Sequence, residues 1–416
     1  MFRPTAAHGG CRHCGAPLVH TFCDLGMSPL ANSYPSPNDR AGMEPFYPLH
    51  AFVCGGCFLV QLQEFETPEA IFSDYAYFSS YSRSWLAHAE AYTREMISRL
   101  GLGPHSQVVE IASNDGYLLQ YFVQAGIPVL GVEPAENVAR AAQVKGIPTR
   151  IAFFGSETAA VLSGEGIQAD LLLGNNVLAH VPRLHDFVSG LKALLKPGGV
   201  ITMEFPHLLR LMQETQFDTI YHEHFSYFSF LAVEQVFASN GLRIFDVQQL
   251  PTHGGSLRIF AAHADDATHP SGENGLALRT AEAEAGLEEL ETYCQFADKV
   301  KATKRHLLSF LIDARERGKT VVGYGAPAKG NTLLNYCGVR SDLLDYTVDL
   351  SPHKQGRMLP GVRIPIAHPD RIRETRPDYV LILPWNLKDE IMQQMAHVRS
   401  WGGSFVVPIP EVRVLR

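Results

Sequence analysis

The sequence predicts an α/β protein with a small N-terminal metal-binding domain and two doubly wound, Rossmann-like sheet domains. Three observations predict it. Two Cys-x-x-Cys pairs fall within the first 57 residues. Short apolar runs alternate with helical patterns from Ser106 to Pro206, and the same alternation returns from Lys319 to the C-terminus. We place the domains at 1–68, 69–262 and 263–416.

At 416 residues the chain is too long for one ordinary domain. Hydrophobic content of 46% describes a globular protein with ample core. The net charge of −8 argues against a nucleic-acid surface, which needs a basic face. No run of 18 apolar residues is present to span a membrane. The start "MFRPTAAHGG" lacks the apolar core of a signal peptide, so a cytoplasmic location is expected.

Five of the seven cysteines are Cys11, Cys14, Cys23, Cys54 and Cys57. In a reducing compartment such clustering points to metal rather than disulfides. "CRHC" and "CGGC" are separated by 39 residues. Each pair suits a tight knuckle that presents two thiolates, and two knuckles give the closed four-thiolate site of structural zinc. Cys11, Cys14, Cys54 and Cys57 are therefore the expected ligands, with His13 and His20 behind them. Redox chemistry is the alternative, but it wants one pair opening a helix. Cys23 is expected to be a small buried residue. So short a domain builds little core, and zinc compensates.

In the central domain "VVEIA" is a first strand, "SNDG" a turn and "YLLQYFVQAG" a helix. "IPVLGVEPA" is a second strand, ending in Glu133, and "ENVARAAQV" is its helix. "ADLLLGNNVLAHV" is a third strand. "FVSGLKALLKPGGVITMEFP" supplies a helix, a turn and a fourth strand. Ligands bind at the carboxyl ends of such strands. Glu110, Asn114, Asp115, Gly116, Glu133 and Asn176 fall there, with Ala112, Pro134 and Asn175 completing the expected cofactor set. The dinucleotide fingerprint Gly-x-Gly-x-x-Gly is missing from the first turn. Glu133 at the second strand's end can accept both ribose hydroxyls. Acidic and amide groups without a phosphate cradle suit S-adenosylmethionine.

"YHEHFSYFS" (221–229) packs four aromatic rings, two histidines and a carboxylate into nine residues. It follows the fourth strand and is expected to be a loop lining a pocket. A histidine exchanges a proton near neutral pH, as abstraction next to a ketone requires. Tyrosines or a second histidine can hold the resulting enolate oxygen. Glu223 can tune His224 or bind a sugar hydroxyl. Metal binding by His222, Glu223 and His224 is a weaker alternative, because a third strong ligand is not evident. "DYAYFSSYS", near the start of the central domain and before its first strand, can fold over as a lid.

Together "CRHC…CGGC", "YAYFSSYS", "EIASNDGYLL", "GNNVLAHV", "YHEHFSYFS" and "GYGAPAKGNTLLN" span nearly the whole chain. Their order resembles the S-adenosylmethionine-dependent sugar C-methyltransferases of deoxysugar pathways. The resemblance implies a zinc-binding domain, a methyltransferase domain and a C-terminal domain that binds a nucleotide-sugar. It implies methylation of the carbon next to the 4-keto group of a dTDP-linked 6-deoxysugar, at C-3'. It implies that His224 is the general base, flanked by Tyr221 and Glu223. His180 and Tyr75 then face the sugar, with Tyr77 a rival to Tyr75. The family usually has glycine where Ala112 stands, and the added methyl can crowd the cofactor carboxyl.

In the C-terminal half, Ala281 to Arg317 is a long helical pattern whose stripe "LEELETYCQFADKV" is expected to be core. "KTVVGYGAPAKGNTLLNYCG" is a strand, a glycine loop and a helix, whose first N–H groups can hold a phosphate beside Lys329. NAD binding is a rival for this loop. "LDYTVDLSPHKQG" adds a strand ending in Asp349, followed by Lys354. "DYVLILPWNLKDEI" adds a strand and helix, and "GGSFVVPIPEV" finishes the sheet. We assign this unit to the substrate's nucleoside diphosphate, with Tyr77, Ser79, His253, Lys329, Asn331 and Lys354 as substrate contacts. The expected partner is thus a keto-sugar nucleotide, with the protein a monomer or homodimer. A small-molecule O- or N-methyltransferase is one alternative, and a non-catalytic zinc-ribbon interaction protein with degenerate α/β domains is the other.

Overall fold

The computed structural model describes residues 9–37, 42–69 and 78–416. Tyr75 and Tyr77 lie outside the described residues. The chain forms two compact units, each assembled from three stretches. The first combines Met1–Leu18, Cys54–Leu208 and Phe225–Glu288, and the second Val19–Val53, Leu209–His224 and Glu289–Arg416. No helix among the described residues is long and apolar enough to cross a membrane.

Among the described residues the first unit carries a seven-stranded sheet. Its order is Leu242–Leu250, Ser256–His263, Leu195–Pro206, Ala169–Asn175, Val108–Ile111, Val129–Glu133 and Thr149–Ile151. The last five run parallel, and the first two are antiparallel additions at one edge. Val108–Ile111 is buried at every position, as a parallel strand covered on both faces must be. Tyr92, Met96, Leu119, Phe122 and Phe260 pack into the same core. Each such side chain contributes roughly 1.5–3 kcal/mol by leaving water. Helix Arg83–Leu100 starts at Ser82, whose hydroxyl accepts from the Trp85 N–H. It stops at Gly101 in the left-handed region (φ 63°). The Lys196–Gly199 turn loops out inside the fourth strand, so Leu195 pairs with Ala169 and Val200 with Leu171. A separate antiparallel pair joins Val60–Leu62 to Ser226–Tyr227, so the second half of "YHEHFSYFS" is a short strand rather than loop.

In the second unit, hairpin His20–Ser28 and Tyr47–Val53 is antiparallel. Cys23 lies in it, 1% exposed. A six-stranded sheet runs Ile366–Ala367, Thr347–Val348, Val321–Tyr324, Tyr379–Ile382, Ser404–Val407 and Arg413–Leu415. Its first five strands are parallel and the last is antiparallel, so the sheet extends one strand beyond "GGSFVV". The long helix expected over 281–317 is broken. Helix Glu273–Glu284 ends before Gly286, which takes φ 80°, and Leu290–Cys294 and Phe296–Glu316 follow. A left-handed residue cannot continue a right-handed helix. The apolar stripe is core as expected: Tyr293, Phe296 and Val300 are buried, and Phe22 stacks on Phe296 with ring centroids 4.6 Å apart.

Candidate functional site

The sulfur atoms of Cys11, Cys14, Cys54 and Cys57 all lie within 4.8 Å of one another. Cys11 and Cys57 approach to 3.5 Å, and Cys14 and Cys54 to 3.4 Å. Tetrahedral zinc with bonds near 2.3 Å wants sulfurs about 3.8 Å apart, so these residues fit the ion. The Gly56 N–H donates to Cys54 Sγ at 3.3 Å and Gln61 Nε2 to Cys11 Sγ at 3.1 Å, the donors a thiolate cluster needs. His13 is not part of the cluster; its ring stacks on His185, centroids 5.3 Å apart. Four thiolates fill a tetrahedral ion, which makes the site structural.

The carboxyl ends of strands Val108–Ile111, Val129–Glu133 and Ala169–Asn175 form the cofactor side of the first unit. Ala112, Asn114, Gly116 and Asn176 all adopt positive φ there (55°, 49°, 75° and 56°). Gly116 has a second constraint, since a Cβ would sit 2.3 Å from Ile147 Cδ1. Glu133 accepts from the N–H of Asn114 and of Ala135, both at 2.9 Å, and so holds the turn. Burial pushes its carboxyl up to about 7, against the pull of those two N–H groups. Glu110 lies within the strand, wholly buried. Burial and then the Glu133 charge push its carboxyl well above the usual carboxylate range. Pro134 is half-buried beside Glu133. Ser79 belongs with this turn, its N–H donating to Asn114 Oδ1 at 2.9 Å. Lys145, which the sequence did not single out, donates to the Asp115 carboxylate at 3.0 Å and its carbonyl at 2.9 Å.

Among the described residues, Ser113 Oγ, Asp115 Oδ1, both amide atoms of Asn175 and Asn176 Oδ1 are buried without a hydrogen-bond partner. A protein seldom leaves five such atoms at one sheet edge unless a ligand satisfies them. A molecule with ribose hydroxyls, an ammonium and a carboxylate matches this mixed donor and acceptor set, so the residues fit S-adenosylmethionine.

His180 ends the short turn Leu178–His180, and the preceding carbonyl of Ala179 accepts from the Phe225 N–H at 2.7 Å. His253 has φ 54°; its Nε2 lies 3.2 Å from Asn176 Nδ2, and its ring meets Trp85 edge-on at 5.1 Å. Behind it lies a buried ion network. Glu204 Oε2 takes hydrogen bonds from His88 at 3.0 Å and Arg258 at 3.1 Å, and Oε1 takes one from Thr252 at 3.1 Å. Burial pushes the Glu204 carboxyl up, but the His88 bond and the charges of His88 and Arg258 outweigh it and hold it low. These groups come from four separate elements, which is why the sequence did not join them.

In the second unit the turn Tyr221–His224 presents the remaining candidates. His224 Nδ1 is 2.9 Å from the Thr219 carbonyl, and its backbone N–H donates to Tyr221 at 2.8 Å. A carbonyl only accepts, so Nδ1 carries the proton and Nε2 the lone pair. The Tyr221 ring lies against the imidazole, centroids 4.0 Å apart. His222 is buried, donates to the Pro48 carbonyl at 3.2 Å and packs on Tyr47. That role replaces the metal alternative for this triplet; among the described residues the four cysteines are the metal-binding group. Glu223 is buried and accepts from Asn32 Nδ2 at 2.6 Å. Burial raises its carboxyl to about 7, while Asn32 and Lys354 act the other way.

Lys354 donates to the Ala326 carbonyl at 2.9 Å and sits 5.0 Å above the Tyr34 ring. Tyr34 donates to the same carbonyl at 2.6 Å, and the Ala326 N–H donates to Asp349 at 2.7 Å. Lys329 is held differently. It donates to Asn386 at 2.9 Å, lies 4.6 Å above the Trp385 ring, and burial lowers its pKa against the charge of Asp218. Asp218 in turn accepts from Trp385 Nε1 at 2.7 Å and is raised to about 6 by burial. Asn331 is buried and donates to the Ala31 carbonyl at 2.5 Å. Asn32, Tyr34 and Asp218 were missed in the sequence because they come from stretches far from the glycine loop.

Three family models match in chain order: a zinc binding domain over residues 11–72, a methyltransferase domain over 85–247 and a C-methyltransferase C-terminal domain over 251–410. C-methyltransferase NovU of Streptomyces niveus is 38% identical over 407 residues, covering 97% of this chain and 96% of its own. Uncharacterized methyltransferase ML2584 of Mycobacterium leprae is 26% identical over 141 residues, 32% of this chain and 52% of its own. Among solved structures, magnesium protoporphyrin IX methyltransferase from Synechocystis PCC 6803 with bound SAM is 16% identical, with a TM-score of 0.33 over 43% of this chain and 79% of its own. Near-complete mutual coverage with NovU, in a chain that also carries the four-cysteine cluster, decides the matter: the chain belongs to the C-methyltransferase family.

Proposed function

We propose that the protein transfers the methyl group of S-adenosylmethionine to the carbon next to the ketone of a nucleoside-diphosphate 4-keto-deoxysugar, dTDP-linked and at C-3', with His224 as the base. The observation that carries this reading is the His224–Thr219 hydrogen bond. It fixes the tautomer whose Nε2 takes a proton.

Glu133, Asp115, Asn175 and Asn176 would hold the methyl donor, through the carboxylates and the orphaned amides at the strand ends. When bound, it supplies a methyl group on a cationic sulfur, an electrophile that needs no further activation. His224 Nε2 removes the proton next to the ketone, and the imidazolium that forms is stabilised by its bond to Thr219. Tyr221 flanks the imidazole and offers a hydroxyl donor for the enolate oxygen. Glu223, titrating near neutrality, donates to or accepts from a sugar hydroxyl. Lys354 and Lys329 supply the positive charge for the diphosphate in an otherwise acidic chain. The zinc ion takes no part in the chemistry.

The test is incubation with S-adenosylmethionine and a panel of nucleoside-diphosphate 4-keto-sugars, read by mass for a gain of one methyl and by NMR for its position. Methyl on carbon next to the ketone is the expected result. Methyl on oxygen or nitrogen identifies a heteroatom methyltransferase, and no S-adenosylmethionine binding by calorimetry identifies a non-catalytic protein.

A further inference from the structure

In a Cys-x-x-Cys knuckle the two spacer residues have only to permit the turn. Here both reach out of it. Arg12 donates through one guanidinium nitrogen to the carbonyl of Phe225 and through the other to the carbonyl of Leu62, the latter at 2.8 Å. Its backbone N–H donates to Gln61 Oε1 at 3.0 Å, and the same Gln61 donates to the zinc ligand Cys11. The Phe225 carbonyl also accepts from the Leu62 N–H at 3.0 Å. Phe225 is the residue after His224 in the chain, and its own N–H is bound to the carbonyl of Ala179, the residue before His180. The second spacer, His13, offers its carbonyl to His185 Nε2 at 2.8 Å and stacks on that ring. His185 stands in helix Leu184–Leu194, just after the His180 turn.

Resting on the proposed function above, we propose that the zinc knuckle is a clamp on the backbone that adjoins His224 and His180, and that Arg12 is its positioning residue. The chain of contacts runs from Cys11 through Arg12 to Phe225 and on to Ala179. A packed turn has no use for a buried guanidinium. Burial opposes a charge, and among the described residues its Nε is buried without a partner. The charge is retained because a rigid fork bonds two carbonyls from different segments at once, which a point charge on a flexible stem does not reproduce. Arg12 acts by holding the backbone beside His224 and His180 in place. A displacement of about 1 Å at a reacting group costs on the order of 100-fold in rate.

The experiment compares the full-length, zinc-loaded protein with R12K and R12Q, and with H185A as an independent cut at the other spacer. Zinc per chain, S-adenosylmethionine affinity by calorimetry, kcat and KM for the keto-sugar nucleotide, and amide hydrogen exchange at Leu62 and Phe225 are measured on each. The clamp predicts unchanged zinc and S-adenosylmethionine binding. It predicts faster exchange at Leu62 and Phe225 in both Arg12 variants, and kcat lowered about 10–100-fold with KM nearly constant. H185A gives a smaller fall of the same kind. Unchanged exchange and kcat in R12Q overturn the proposal. So does loss of zinc in R12K and R12Q, which would make Arg12 a support of the metal site alone. If no keto-sugar is methylated by the parent protein, the proposed function fails, while exchange and zinc content still read the clamp.

Discussion

The imidazole of His224 donates its Nδ1–H to the backbone carbonyl of Thr219 at 2.9 Å. Thr219 belongs to the same turn-rich segment, whose Ile220 carbonyl is held by the Thr332 hydroxyl at 3.0 Å. The proposed base is thus oriented by main chain. Replacing His224 with asparagine keeps a side-chain donor for that carbonyl but removes the proton acceptor. H224N is expected to fold and bind S-adenosylmethionine normally, with kcat lowered about 100- to 10,000-fold. Circular dichroism, calorimetry and steady-state kinetics check the three parts.

Glu223 is buried and its carboxyl is raised to about 7 by that burial. The folded protein therefore keeps a proton there that the unfolded chain, with a carboxyl near 4.5, has released. Stability should fall as pH rises between about 4.5 and 7, by on the order of 3 kcal/mol at full effect. E223Q removes this contribution. Denaturant midpoints at pH 5 and pH 8 should differ less in E223Q than in the parent, with E223Q gaining most at pH 8.

Ala112 holds a left-handed conformation, φ 55°, at the turn after the first strand of the cofactor side. That conformation costs an L-residue about 1 kcal/mol that glycine avoids. A112G is expected to raise stability by about 0.5–1 kcal/mol in urea titration and to leave S-adenosylmethionine affinity the same or better.

Removing one thiolate leaves the ion three protein ligands and frees the knuckle. C54S should lose zinc and lower the melting temperature, at a cost on the order of several kcal/mol. Metal analysis and scanning calorimetry decide it.

Lys354 lies between the Ala326 carbonyl and the Tyr34 ring and also acts on Glu223. K354A is expected to raise KM for the sugar nucleotide about 10–100-fold, the worth of a charged hydrogen bond to phosphate, with kcat less affected. Its loss also removes the charge that pulls Glu223 down, so the pH window of Glu223 should move upward.

The parts of this protein that were legible in its sequence are those fixed by local spacing. The four cysteines announce themselves because a knuckle needs two thiolates three positions apart. Asn114, Gly116 and Glu133 were placed because a parallel strand must end in a turn, and these residues tolerate positive φ or take up its N–H groups. The partners of those residues were not legible. His88, Glu204 and Arg258 lie on a helix and two strands, and only the folded sheet brings them together. Arg12 was not singled out because its carbonyl partners are backbone groups, which carry no residue signature. The helix over 281–317 was overextended because its apolar spacing continues past Gly286, where the backbone turns left-handed.

The most direct test places the parent protein and H224N in deuterated water with the keto-sugar nucleotide and no methyl donor, and follows deuterium entry at the carbon next to the ketone. An imidazole that forms the enolate gives exchange in the parent and almost none in H224N. Equal exchange in the two proteins, or none in a parent that still transfers methyl, would contradict His224 as the base.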